Sequence, residues 1–219
     1  MKKYQILLFA FLLPFFVLAQ KNWSPEQVLK IKNISSAQVS PDGTKVVYTI
    51  REALMTDERS EYINHIWIST IDGSNAKQLT TGDKNNANPK WSPDNKSIAF
   101  TSSRDGKNNL YILPITGGEA EKITEAKGGI SEFEWSNDGK KIAVITADAP
   151  TDKEEKNKKA KNDWYMWEEE LKQNRLQVYW IHHKDSSQKY MHKLLSKENI
   201  SVYSFDWNTD GTSIVYSFG

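Results

Sequence analysis

The chain has 219 residues, a formal charge of +1 and no cysteine, which excludes disulfides, thiolate nucleophiles and cysteine-built zinc sites. Its 29 basic residues nearly balance its 28 acidic ones, so no electrostatic footprint points to nucleic acid or to an anionic membrane surface as partner. Eight Trp and nine Tyr suit an all-β protein, because aromatic side chains fit a pleated, half-buried surface.

Lys2 and Lys3 precede an apolar stretch from Ile6 to Leu18, and Val17 and Ala19 sit where a leader peptidase requires small residues. Residues 1–19 therefore read as a signal peptide of an exported chain, periplasmic or extracellular. The stretch is short for a membrane span, so no stable anchor is expected after cleavage. Residues 20–34 read as a linker with a short helix over Ser24 to Ile31. Ser24 suits the N-cap, Pro25 the first helical position, and Gln27 completes a capping box.

From residue 35 onward the sequence repeats. Gln38-Val39-Ser40-Pro41-Asp42-Gly43, Lys90-Trp91-Ser92-Pro93-Asp94-Asn95, Glu134-Trp135-Ser136-Asn137-Asp138-Gly139 and Asp206-Trp207-Asn208-Thr209-Asp210-Gly211 share one turn, with the Asp residues 52, 44 and 72 positions apart. Pro and Asp favour turn entry, and Gly or Asn tolerates positive φ. Each turn leads into an alternating run: Val46-Val47-Tyr48, Ile98-Ala99-Phe100, Ile142-Ala143-Val144 and Ile214-Val215-Tyr216. Period two puts the large residues on one strand face and the Val or Ala between them on the other. Both faces are apolar, as expected where sheets stack face to face around an axis. Trp91, Trp135 and Trp207 are expected to fill the layers between sheets.

Third strands are predicted at His65 to Ile71, Asn109 to Ile115 and Arg175 to His182, and fourth strands around Gln78 to Thr80, Lys122 to Thr124 and Lys193 to Leu195. The spacing is that of propeller blades. The fold expected over residues 35–219 is thus all-β, a partial β-propeller with three complete four-stranded blades and half of a fourth, near Ser201 to Trp207 and Thr212 to Phe218. Its open edge would leave Trp207 and Tyr216 without a neighbour, and suggests the N-terminal part of a longer polypeptide.

The third spacing is longer because of a charged insertion at 148–174. Thr151 to Asp163 reads as a solvated, mobile loop. Asp163-Trp164-Tyr165-Met166-Trp167-Glu168-Glu169-Glu170-Leu171 sets three aromatics beside three carboxylates. His182 and His183 point to opposite faces of a strand, and His65 and His192 stand apart, so no metal site is expected. Gly117-Gly118 and Gly128-Gly129 lack the strand-to-helix context and the Lys of a phosphate loop. No cofactor is implied.

The helix, the "QVSPDG" turn and the "VVYT" strand between Trp23 and Ile50 resemble exported serine peptidases of the prolyl oligopeptidase family, in the dipeptidyl-peptidase and acylaminoacyl-peptidase-like branch. Trp91 to Phe100 and Leu110 to Thr124 are similar to its later blades, so the resemblance runs through almost all of the mature chain. It implies a substrate-gating propeller paired with an α/β-hydrolase domain that carries a Ser-Asp-His triad on a G-x-S-x-G elbow. This sequence contains no G-x-S-x-G, so no catalytic residue is assigned in it. The peptide substrates would be hydrolysed by the domain it lacks.

The resemblance also implies that Glu168, Glu169 and Glu170 bind a substrate's free amino group. Carboxylates match a semi-buried ammonium, and neighbouring aromatics add cation–π attraction. The bland alternative is an amphipathic turn with Trp164 and Trp167 packed on the blade. A TolB-like periplasmic propeller that binds other proteins is the alternative function, since such propellers carry "WSPDG" turns too. The sequence leaves the oligomeric state open.

Overall fold

The computed structural model describes residues 24–161, 172–187 and 189–219. The predicted signal peptide and the Asp163–Leu171 segment lie outside them. Residues 1–31 and 32–219 are separate units. In the first, helix α1 (Pro25–Leu29) begins as its sequence requires. Ser24 Oγ accepts from the Gln27 amide at 3.2 Å, and Gln27 Oε1 accepts from the Ser24 amide at 3.1 Å.

The second unit holds all the described strands. Blade 1 is β1 (Asn33–Val39), β2 (Lys45–Met55), β3 (Ser60–Thr70) and β4 (Lys77–Gln78). Blade 2 is β5 (Asn86–Trp91), β6 (Ser97–Ser102), β7 (Asn109–Pro114) and β8 (Glu121–Lys122). Blade 3 is β9 (Ile130–Trp135), β10 (Lys141–Ala147), β11 (Asn174–Lys184) and β12 (Tyr190–Leu194). β13 (Val202–Trp207) and β14 (Ile214–Phe218) form a two-stranded fourth sheet. Every neighbouring pair is antiparallel and in chain order.

The repeated turn connects the first two strands of each sheet. Ser40, Ser92 and Ser136 each donate a hydroxyl hydrogen bond of 2.6 Å to the Asp two residues on. The next residue takes left-handed φ: Gly43 at 72°, Asn95 at 61°, Gly139 at 70° and Gly211 at 69°. Asn95 adds what a glycine could not, because its Oδ1 accepts from the Asp42 amide of the preceding turn at 3.1 Å.

These bonds set a pH dependence. The Ser40 hydroxyl, with the Thr44 amide and hydroxyl, holds the Asp42 carboxyl down at about 2, and the Thr70 hydroxyl with Ser74 does the same for Asp72. Asp94, Asp138 and Asp210 are lowered too, each chiefly by a neighbouring hydroxyl. A carboxyl depressed in the folded state stabilises above its unfolded pKa of about 3.9, and that stabilisation is lost as pH falls through the folded value. Burial lowers the His65 pKa, so its contribution begins to be lost as pH falls below about 6.5. Thermal melts should show a shallow fall in Tm below about pH 6.5 and a steep one between about pH 4 and 2. A Tm unchanged down to pH 2 would contradict this.

Three apolar layers join the four sheets. Val47 and Ile66 of blade 1 pack against Trp91, Ile98 and Phe100 of blade 2. Ala99 and Leu110 of blade 2 meet Phe133, Trp135 and Val144 of blade 3. Ala143, Ile145 and Leu176 of blade 3 meet Val202, Phe205, Trp207 and Tyr216 of the fourth sheet. One hydrogen bond recurs at each layer. Trp91 Nε1 donates to the Gln38 carbonyl at 3.2 Å, Trp135 Nε1 to the Lys90 carbonyl at 3.4 Å, and Trp207 Nε1 to the Glu134 carbonyl at 3.2 Å. Each acceptor is the residue just before the corresponding Trp position one sheet earlier, and Val39 holds that position in blade 1.

The structure corrects several expectations. Trp207 and Tyr216 do have a neighbour, because strand alternation turns them toward blade 3. The residue turned away is Val215, 75% exposed where its counterparts Val47, Ala99 and Ala143 are 0% exposed. Residues 152–159, expected as loop, form helix α2 (Asp152–Lys159). Thr151 and Glu154 build its capping box, acidic residues fill its first turn and lysines its last, in the sense the helix dipole favours. Strand β1 starts at Asn33, inside the segment assigned to the linker.

Candidate functional site

Two places can serve function: the cleft between the first strands of the blades, and the root of the insertion. The first strands of blades 1 and 2 are bulged, with register shifts between Ser35 and Gln38 and between Ala87 and Lys90. Ser36 and Asn88, at the bulges, take left-handed φ of 51° and 52°. With β9 these strands enclose a cleft of about 360 Å³ whose walls include Ser36, Gln38, Asn88, Lys90, Glu132 and Phe133. The Lys90 ammonium pairs with Glu134 and stands 5.4 Å from the centre of the Phe133 ring. The walls offer hydrogen-bonding groups, while the Phe133 ring behind them is buried in the layer between blades 2 and 3.

The insertion leaves blade 3 after β10 and returns into β11, and a fork of charge holds its two ends together. Arg175 Nε donates to Asp148 Oδ1 at 2.8 Å and a terminal nitrogen donates to Oδ2 at 3.0 Å. The Gln173 amide adds a 3.2 Å bond to Oδ2. The other guanidinium nitrogen donates to the carbonyls of Lys197 and Glu198. The guanidinium keeps the Asp148 carboxyl below its ordinary value, and Asp148 in turn raises Arg175. Lys172 bonds the Ala149 carbonyl and Glu154, both at 2.6 Å, tying α2 to the returning chain.

Glu168, Glu169 and Glu170 lie outside the described residues. His182 and His183 are exposed on β11, while His65 is buried in blade 1. His192 stacks on Tyr179 with ring centres 4.8 Å apart. Sequence reading missed the Asp148–Arg175 fork. Its partners are 27 residues apart and neither belongs to a local pattern; only their positions flanking the insertion could have drawn notice.

Sheets of four antiparallel strands, stacked face to face in chain order and joined by one recurring Trp-to-carbonyl bond, define the β-propeller class. Residues 61–201, more than half of the chain, match the model of the tricorn protease N-terminal β-propeller domain, and the chain belongs to that family. It is 32% identical over 81 residues to the uncharacterized peptidase YuxL of Bacillus subtilis, a match covering 37% of this chain and 12% of that protein. It is 30% identical over 84 residues to dipeptidyl-peptidase 5 of Porphyromonas endodontalis, covering 38% of this chain and again 12% of the relative. The chain therefore matches about an eighth of the length of these curated relatives.

Among solved structures, an acylaminoacyl peptidase of Pyrococcus horikoshii shares the fold with a TM-score of 0.56 at 18% identity, over 84% of this chain and 28% of that one. The AtxE2 isopeptidase gives 0.58 at 15% identity, over 82% and 36%. The protein is thus a propeller domain of the kind found in peptidase-family proteins.

Proposed function

We propose that this propeller gates the substrates of an exported serine peptidase of the prolyl oligopeptidase family that hydrolyses short peptides. The observation that carries the reading is the pairing of a tricorn-type propeller match with curated relatives named as peptidases. In this reading the propeller contributes selection and an α/β-hydrolase domain contributes the Ser-Asp-His chemistry. The cleft between the first strands, about 360 Å³ with polar walls, takes a few extended residues. A folded domain of 100 residues, with a radius of gyration of about 13 Å, is excluded.

A fluorophosphonate probe, which labels activated serines, tests the assignment on the protein made by its own cells. A polypeptide recognised by antibody to residues 32–219 should be labelled, and short peptides should compete. An antibody-reactive polypeptide that stays unlabelled overturns it.

Glu168, Glu169 and Glu170 are proposed to receive the free amino terminus of the substrate. In the active enzyme, Glu168→Ala or Glu169→Ala should raise KM for free-amine dipeptide substrates by about 10-fold or more, since a charge-assisted hydrogen bond contributes about 1.5–3 kcal/mol, while N-acetylated substrates are unaffected. Equal KM values for variant and parent would remove these residues from the site.

A further inference from the structure

Comparison of the blades locates a second binding site. β2 and β3 pair Tyr48 with Trp67, and β6 and β7 pair Phe100 with Tyr111, whose rings stack 5.9 Å apart. At the corresponding place β10 and β11 pair Val144 with Gln177. Blade 3 thus has an aliphatic group and an amide where the two preceding blades have a pair of aromatic rings. A cleft of about 530 Å³ opens there against blade 2, lined by Thr146, Gln177, Tyr179 and His192 on one side and Ile123 and Lys127 on the other. This volume falls within the usual range for a small-molecule site.

Tyr179, largely buried, stacks on the exposed His192 with the rings inclined by only 16°, and both residues line the cleft. Tyr179 Oη donates to Gln177 Oε1 at 3.1 Å, and Gln177 Nε2 donates to Thr146 Oγ1 at 3.2 Å. This relay leaves one Gln177 N–H and the Thr146 hydroxyl hydrogen without an acceptor among the described residues. The charges around the cleft are mostly matched: Arg175 by Asp148, Lys189 by Glu125 and Lys122 by Asp105. Lys127 has no ion-pair partner among the described residues. The unspent groups include two neutral donors, at Gln177 and Thr146, and one cation, Lys127.

We infer that this cleft binds a carboxylate bearing an aromatic ring, the chemistry shared by a peptide C-terminus ending in Phe or Tyr and by a free arylalkanoic acid. The ring lies on the Tyr179–His192 wall, in the space that the other blades fill with their own rings. The carboxylate meets Lys127, the Gln177 amide and the Thr146 hydroxyl. Nothing in this assignment depends on the peptidase reading.

Calorimetric titration of the full chain with N-acetylglycyl-phenylalanine, its C-terminal amide and 3-phenylpropionate tests it. The acid should bind with a Kd on the order of 1 mM or tighter, and about fivefold tighter than the amide. Lys127→Gln should abolish that difference. Gln177→Tyr, which installs the residue of blade 2, should fill the cleft and abolish binding with Tm unchanged or raised. A peptide acid tighter than 3-phenylpropionate assigns the site to peptide termini, and equal affinities assign it to free acids. Absence of saturable binding at about tenfold above that Kd, equal binding of acid and amide, or an undiminished preference in Lys127→Gln overturns the inference.

Discussion

Trp135→Ala is expected to destabilise the protein by about 3–5 kcal/mol, the range for truncating a buried aromatic. The indole is buried in the layer between blades 2 and 3, against Ala99, Leu110 and Phe133. Its removal opens a void and leaves the Lys90 carbonyl without its 3.4 Å donor. Trp135→Phe keeps most of the contact area and forfeits the bond, so it should cost about 1–2 kcal/mol. Val215→Ala provides the contrast. Val215 is 75% exposed, so its truncation should change stability by less than about 0.5 kcal/mol. Urea unfolding of the three variants measures all of this. Equal losses for Trp135→Ala and Val215→Ala would mean that the layers are not where the structure puts them.

Gly128→Ala should be nearly as damaging, at about 3 kcal/mol, the upper end of the range for overpacking a core. The reason is space. A β-carbon at this position would stand 2.1 Å from the Ala147 carbonyl oxygen and 2.6 Å from that of Asp148. Both obstacles are backbone, at the point where the chain leaves β10 for the insertion, so no side-chain rotation relieves the clash. Gly118→Ala meets no atom within 4 Å, yet its φ of 118° is one an L-residue rarely adopts. It should cost about 1 kcal/mol through the backbone alone. Differential scanning calorimetry of the two variants separates steric from conformational cost. A Gly128→Ala protein that melts with the parent would show that the turn into β9 approaches the end of β10 less closely than described.

The fold is legible in the sequence because one local unit repeats. Ser-x-Asp-Gly, with Asn95 in place of Gly in blade 2 and Asn208 in place of Ser in the fourth sheet, fixes a turn, and the alternating run after it fixes which residues face which layer. The pattern alone therefore places Val47, Ala99 and Ala143 at a close approach between sheets, and all three are fully buried. The misreadings have physical causes. The pattern leaves Trp207 and Tyr216 on an open side because it does not state which face of the fourth sheet is turned inward. Helix α2 has no apolar stripe, so periodicity is silent on it, and the Thr151-x-x-Glu154 capping box is the one signal available. The third strand of blade 1 begins at Ser60 instead of near His65, because the β2–β3 hairpin pairs Met55 with Ser60 across a polar stretch. The Asp148–Arg175 fork and the cleft at Gln177 depend on residues far apart in the chain, which no local pattern brings together.

The recurring joint between sheets is the claim on which the account rests, and the indole hydrogens report on it directly. In protein labelled with ¹⁵N at the Trp side chains, exchange of the Nε1 hydrogens with deuterated water can be followed for each residue, with Trp→Phe variants supplying the assignments. The hydrogens of Trp91, Trp135 and Trp207, which bond to the Gln38, Lys90 and Glu134 carbonyls, should exchange only through opening of the layers and so remain protected. Exchange of all three at the rate of free indole would contradict the propeller arrangement.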